Sequence, residues 1–287
     1  MKAYEWMVKC TPQTEWIEKK GILLWLAFFF IELGAGAYLV GALFKSTAAM
    51  MAGWLFCGVL GGGLHLLYLG RPSRFYRMFA RPQTSWISRG MTFVTLFLLL
   101  GFLDIILRWT SYETVILSLA TMFLAFLVVI YGGFAMCCIT GIPLWNTALI
   151  PILYVVSGLW GGVGVTLAFA IAQGDEQIMS GAERWTDLFL IGFVLLLITY
   201  LISLRYGSRA AKMSVQEIIR GSGKRVFWIL IVLIGLGVPI VMAAFHTASI
   251  PATLLYLTIA CELAGDLGMR YVILKYGFYN PLIPSSI

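Results

Sequence analysis

The sequence predicts an all-α integral membrane protein of eight transmembrane helices, with both termini on the same face. Three observations carry that expectation. Hydrophobic residues make up 61% of the 287 and charged residues 11%, with a mean hydropathy of +0.92, a balance typical of membrane proteins rather than soluble domains. The apolar residues fall into eight runs, each near the roughly 20 residues that cross a hydrocarbon core of about 30 Å. The cations collect in the connections on one side of those runs.

The runs lie at about 21–44, 47–69, 86–107, 114–139, 148–172, 185–204, 226–247 and 250–274. Backbone in lipid must satisfy its own hydrogen bonds, and runs this long do so as α-helices. The first run is too long for a signal-peptide core, so no cleaved signal is expected. It carries Glu32 near its middle, followed by Gly34 and Gly36. The second is glycine-rich at 58 and 61–63 and ends on His65 and Tyr68. An arginine-rich loop with Arg71, Arg74, Arg77 and Arg81 follows. The third run opens on Ser85, Ser88 and Arg89 and carries Asp104 toward its far end. Tyr131 lies in the last part of the fourth, and the fifth holds Gly158, Gly161, Gly162 and Gly164. Small residues of this kind let transmembrane helices approach closely. A polar loop is expected over 173–184 and a basic one over 205–225, the latter with a short amphipathic helix around 215–219. The eighth run carries Glu262, Asp266 and Arg270 at four-residue spacing, hence on one helical face. The division this suggests is an N-terminal segment 1–20, a four-helix half 21–140 that binds ligand and partner, and a second half 141–287.

An even number of spans puts both termini on one face, here face A. Of the 20 Lys and Arg, 17 fall on or near face A and three, Lys45, Arg108 and Arg184, on face B. The positive-inside rule makes face A cytoplasmic and the location the cytoplasmic membrane. Topology accounts for most of the net charge of +7, so no nucleic-acid partner is needed.

The five cysteines (10, 57, 137, 138 and 261) form no CxxC pair, which argues against an iron–sulfur cluster or structural zinc in this chain. The two histidines, His65 and His246, should lie near opposite faces, about 25 Å apart at 1.5 Å per residue. They cannot ligate one haem, and none is expected.

Ionisable groups inside a membrane are costly unless used or paired. Asp266 and Arg270 have a bland reading as an ion-paired stripe on one helix. Glu32 and Glu262 have no base near them in sequence and are read, with Asp266 and Asp104, as a proton relay. Arg89 at the start of an apolar helix carries the same cost. His65 can donate to a ligand oxygen and titrates near neutral pH. With Tyr68 three residues on, Ser85, Ser88, Arg89 and Tyr131 at the same depth, it forms a donor set suited to a quinone head group, whose carbonyls need hydrogen bonds while its tail stays in lipid.

The segments Leu69-Gly70-Arg71-Pro72 and Arg81-Pro82-Gln83-Thr84-Ser85-Trp86-Ile87-Ser88-Arg89-Gly90 resemble the NrfD-like family of polysulfide-reductase membrane anchors, as does Glu32-Leu33-Gly34-Ala35-Gly36-Ala37-Tyr38. The pattern His65-Leu-x-x-Leu-Gly is similar to that of dimethyl-sulfoxide-reductase anchors. The motifs cover residues 32–90. The resemblance implies a haem-free anchor that exchanges electrons between membrane quinone (menaquinone or ubiquinone) and an iron–sulfur partner, itself connected to a molybdopterin-type catalytic subunit. It also implies that Arg71, Arg74, Arg77 and Arg81 belong to the partner-docking loop. Some relatives have polar residues early in the first helix; here Leu24-Trp25-Leu26-Ala27-Phe28 is apolar, which shifts weight to His65. Two rival readings are a proton-coupled secondary transporter, which mid-membrane carboxylates and glycine-interrupted helices would suit, and a purely structural anchor. No inverted repeat is visible to favour the transporter.

Overall fold

The computed structural model describes residues 13–110, 112, 114–245 and 251–280. His246, Lys2, Lys9 and Cys10 therefore lie outside the described residues. Among the described residues, eight helices are long and apolar enough to cross a membrane. They are α1 (Gly21–Leu43), α2 (Thr47–Tyr68), α3 (Trp86–Trp109), α4 (Val115–Cys137), α5 (Leu149–Gln173), α6 (Glu176–Arg205), α8 (Val226–Ala244) and α9 (Ala252–Lys275). A short amphipathic helix, α7 (Arg209–Ile219), lies between α6 and α8.

Local chemistry sets the boundaries. Side-chain oxygens of Ser46, Ser85, Asp175 and Ser208 accept from the backbone N–H three residues on, capping α2, α3, α6 and α7. The polar connection expected over 173–184 is corrected here. Only Gly174 and Asp175 separate α5 from α6. Gly174 ends α5 in the left-handed region at φ 68°, where lack of a Cβ removes the steric penalty. Polar residues 176–187 continue as helix because a helix projecting past the hydrocarbon carries polar side chains at no cost, and 30 residues at 1.5 Å reach about 45 Å. The arginine-rich loop folds as a 3₁₀ segment over Pro72–Phe79. The amphipathic helix in 205–225 begins six residues earlier than expected, at Arg209, where Ser208 caps it.

Two spanning helices contain wide, π-helical turns, at Phe56–Gly62 in α2 and Val226–Gly237 in α8. Both stretches are glycine-bearing and lie against a neighbouring backbone. A Cβ on Gly34 would meet Cys57 and Gly53 of α2, and Gly235 abuts Gly265 of α9.

The helix α1 is the centre, in contact with α2, α4, α5 and α9. Its crossing with α5 is close: a methyl group on Gly36 would overlap the Gly158 carbonyl, and one on Gly162 would overlap Gly36. These glycines admit backbone–backbone packing that lipid alone would not drive. Outward faces carry apolar stripes, such as Leu188, Ile191, Leu195, Ile198 and Ile202 on α6. The described polypeptide enters and leaves at one end of the bundle. There the Trp16 ring packs on Trp145 with centroids 5.0 Å apart. The Asn280 N–H donates to the Gly141 carbonyl at 2.9 Å, and Tyr200 donates to the Leu144 carbonyl at 2.6 Å.

Candidate functional site

His65 lies at the end of α2, just past its π-helical turn, and its ring meets Phe28 of α1 edge-on with centroids 5.6 Å apart. Its Nδ1 is buried and has no hydrogen-bond partner. It lines a cavity of about 160 Å³ between α2, α3 and the 3₁₀ segment, walled by Gly58, Gly62, Phe75, Met78 and Val94. The one other polar lining side chain, Thr95, spends its hydroxyl proton on the Met91 carbonyl at 2.8 Å. His65 is thus the polar group of an apolar pocket, with the Gly61 backbone one turn back within its reach. Leu66, also on the wall, is exposed, as is its neighbour Leu67.

The residues grouped with His65 on sequence do not all join it. Tyr68 lines a separate groove of about 800 Å³ with Glu15, Trp16, residues 18–21 and Gly70. Ser85 caps α3, and Ser88 is buried with its carbonyl accepting from Thr92. Arg89 is not unpaired. It donates to the carbonyls of Pro82 at 2.7 Å and Gln83 at 2.6 Å and lies over the Trp86 ring, so it braces the loop. Tyr131 packs its ring on Gly90, where a Cβ would collide with it. Its buried hydroxyl has no partner and sits within electrostatic reach of Glu32, Tyr154 and Cys57. Arg71, Arg74, Arg77 and Arg81 are all exposed on the loop that roofs this end.

Behind the pocket lies the main polar cluster. Arg270 of α9 is 1% exposed. It grips Glu32 of α1 with both terminal nitrogens, at 2.6 and 2.7 Å. It also donates to Asp266 at 3.1 and 3.2 Å and to the Ser157 hydroxyl of α5 at 2.8 Å. Ser157 in turn donates to Glu32 at 2.9 Å. The guanidinium lies 4.6 Å over the Tyr154 ring. The stripe reading of Asp266 and Arg270 therefore holds locally, and the base that Glu32 lacked in sequence is Arg270, 238 residues away. Gly158 leaves the room that the Glu32 side chain fills. Nothing in the sequence pointed to Ser157 or Tyr154, which sit in a run read only as glycine-rich packing.

Asp104 stands apart. Tyr38 donates to it at 2.7 Å and Ser118 at 2.6 Å, with the Arg108 guanidinium 3.4 Å away. Glu262 contrasts with both clusters: it is 3% exposed, and neither carboxylate oxygen has a partner. Among the described residues, no group of three or more metal-ligating side chains is assembled.

The profile of the family described as "Polysulphide reductase, NrfD" matches residues 20–281. The sequence is 26% identical to Protein NrfD of Escherichia coli (strain K12) over 270 residues, covering 82% of each protein. It is 26% identical to a polysulfide reductase subunit of Wolinella succinogenes over 168 residues, 56% of this protein and 53% of that one. A Protein NrfD homolog from Haemophilus influenzae is 21% identical over 153 residues, spanning 51% of this protein and 48% of that one.

Proposed function

The chain belongs to the NrfD family of polysulphide reductase proteins, and from that membership we propose that it is the haem-free, quinone-binding anchor subunit of a respiratory oxidoreductase complex. It is a multi-span membrane protein, and the similar Wolinella protein is named as one of the polypeptides of polysulfide reductase. The partner we propose is an iron–sulfur subunit connected to a molybdopterin-type catalytic subunit. The exposed Arg71, Arg74, Arg77 and Arg81 suit an acidic docking face.

The observation that carries the reading is the His65 cavity: one unpartnered buried nitrogen, apolar walls, and exposed leucines at its edge. Pockets for whole drug-sized ligands run to roughly 300–1,000 Å³. A cavity of about 160 Å³ suits a single ring whose tail stays outside. The residues present thus fit a quinone head group, which supplies two-electron, two-proton chemistry when bound. His65 hydrogen-bonds a carbonyl oxygen and holds or releases the proton there. Phe28 fixes the imidazole plane. The arginine loop, braced by Arg89, roofs the pocket and brings a docked partner close to it.

The proton-handling groups lie inward from the pocket. Tyr131 packs its ring on Gly90, next in sequence to the pocket-lining Met91, and its hydroxyl is within electrostatic reach of Glu32. Arg270 is shared by Glu32 and Asp266, so moving the guanidinium toward one frees the other to accept a proton. Asp104, closed in by three donors, falls outside this relay.

His65→Ala is expected to lower quinone-dependent turnover about tenfold, since one hydrogen bond contributes about 0.5–1.5 kcal/mol, and more if charged. Assembly of the complex and dye-linked activity of the catalytic subunit should persist. If the variant loses the partner while quinone affinity in the remaining complex stays unchanged, His65 is structural.

The orientation we propose, face A in the cytoplasm, rests on the bias of 17 cations to three. In a cysteine-free background, exposed Lys212→Cys should react with an impermeant thiol reagent only from the cytoplasmic side, and exposed Thr114→Cys only from the other. The reverse pattern would invert the assignment.

A further inference from the structure

The carboxyl of Glu262 has no hydrogen-bond partner, and that is the least accounted-for feature of the molecule. An ionised carboxylate isolated from water and donors costs far more than a neutral one. A group kept in that position needs either a proton or a ligand. Glu262 lines a cavity of about 40 Å³ with Glu183, Thr186 and Asp187 of α6. The Thr186 hydroxyl is also buried without a partner. A water needs roughly 10–15 Å³ of such space and two to four polar neighbours, so the cavity has room and partners for two or three waters.

The cavity has a definite place along the membrane. Its walls come from the last turns of α5 (Leu167) and α8 (Met242, Ala243) and the first turns of α6 (Glu183, Thr186, Asp187) and α9 (Leu255, Thr258). All of these lie toward the end of the bundle that carries the two-residue α5–α6 turn, opposite the His65 pocket. Glu183 and Asp187 are partly exposed and mark the outer part of the cavity. Glu262 lies ten residues into α9, about 15 Å from that end. One helical turn further in is Asp266, whose Oδ1 is buried without a partner. The two carboxyls share a helix face with about 5–6 Å between Cβ atoms, a gap one water can bridge.

We propose that the cavity is a water-filled proton inlet, open at the face opposite the docking loop, and that Glu262 is its inner terminus. Glu262 takes a proton from a hydrated proton in the cavity, forming one O–H bond and leaving water. It then passes that proton toward the free Oδ1 of Asp266 and returns to the carboxylate, ready to be reloaded. No electron moves in either step. The titratable and charged groups facing Glu262 are Glu183 and Asp187 from α6, and Cys261 and Asp266 on its own helix; the lining residues of α5 and α8 are apolar. The inlet deepens the relay of the anchor reading, yet its tests involve no quinone, so its failure and the failure of the His65 pocket are separable.

The test uses the complex in native membranes. Dicyclohexylcarbodiimide attacks protonated carboxyl groups in apolar surroundings. It should form an adduct on Glu262 that mass spectrometry locates, that sodium ions do not prevent, and that Glu262→Gln abolishes. Thr186→Cys, nearly isosteric, should be titrated by silver ion added from the face opposite the docking loop and not from the docking side. Absence of the adduct, or thiol access from the docking side alone, overturns the inlet. Protection of Glu262 by sodium overturns it in favour of a sodium site.

Discussion

Replacing Arg270 by methionine should destabilise the folded protein by about 3–5 kcal/mol, the range seen when one partner of a buried ion pair is removed and the other charge is stranded. The apparent melting temperature in detergent should fall by on the order of 10 °C. The size follows from the geometry. Arg270 is 1% exposed and donates to Glu32, Asp266 and Ser157 at once. Methionine fills the space but leaves two carboxylates buried without a cation. Adding Glu32→Gln should restore part of the loss, because an amide carries no charge to strand, and the two changes should be strongly non-additive. Arg270→Lys should sit in between, since an ammonium cannot make the paired contacts to Glu32. If Arg270→Met melts like the parent, Arg270 does not hold the two carboxylates as their buried counter-ion, and its ion pairs with Glu32 and Asp266 contribute nothing to stability.

Gly62→Phe should bring quinone-dependent turnover to background while leaving the protein folded. A Cβ at Gly62 meets nothing closer than the Cys57 carbonyl at 3.7 Å, so the backbone accepts a side chain. The residue lines the His65 cavity, and a phenyl ring would occupy space that a head group needs. Within a helix, the change from glycine is itself mildly favourable. Gly63→Ala is the control: a methyl there meets nothing within 4 Å and the residue does not line the cavity, so turnover should be unchanged. Normal turnover in Gly62→Phe would move the ligand site elsewhere, with the groove of about 800 Å³ beside Tyr68 as the next candidate.

The eight spans are legible in the sequence because apolar length and backbone satisfaction in lipid leave few alternatives. The segment 173–184 is misread because polarity there means "outside the hydrocarbon", which a projecting helix meets as well as a loop does. The Asp266–Arg270 pair is legible from its spacing of four. The grip of Arg270 on Glu32 is not, because residues 238 positions apart share no local pattern. Tyr68 shows a different limit. Three residues along a helix is near in distance but rotated in direction, and at the end of α2 that rotation is enough to face it into another groove. His65 stands out because a lone histidine beside an arginine loop is conspicuous in so apolar a sequence; its unpartnered nitrogen needed coordinates.

The link between Glu32 and Arg270 joins α1 to α9, the first and last spanning helices among the described residues. Helices are synthesised in order, so α1 reaches the bilayer long before α9 exists. Throughout that interval its glutamate has no counter-ion and is a costly group for lipid to hold. The nascent polypeptide should therefore keep α1 shielded, by α2, α4 and α5 or by the insertion machinery, until α9 delivers its guanidinium. Closure of the bundle around α1 then waits on α9, and a ribosome that stops before residue 270 leaves a product marked for disposal by the uncompensated glutamate of α1.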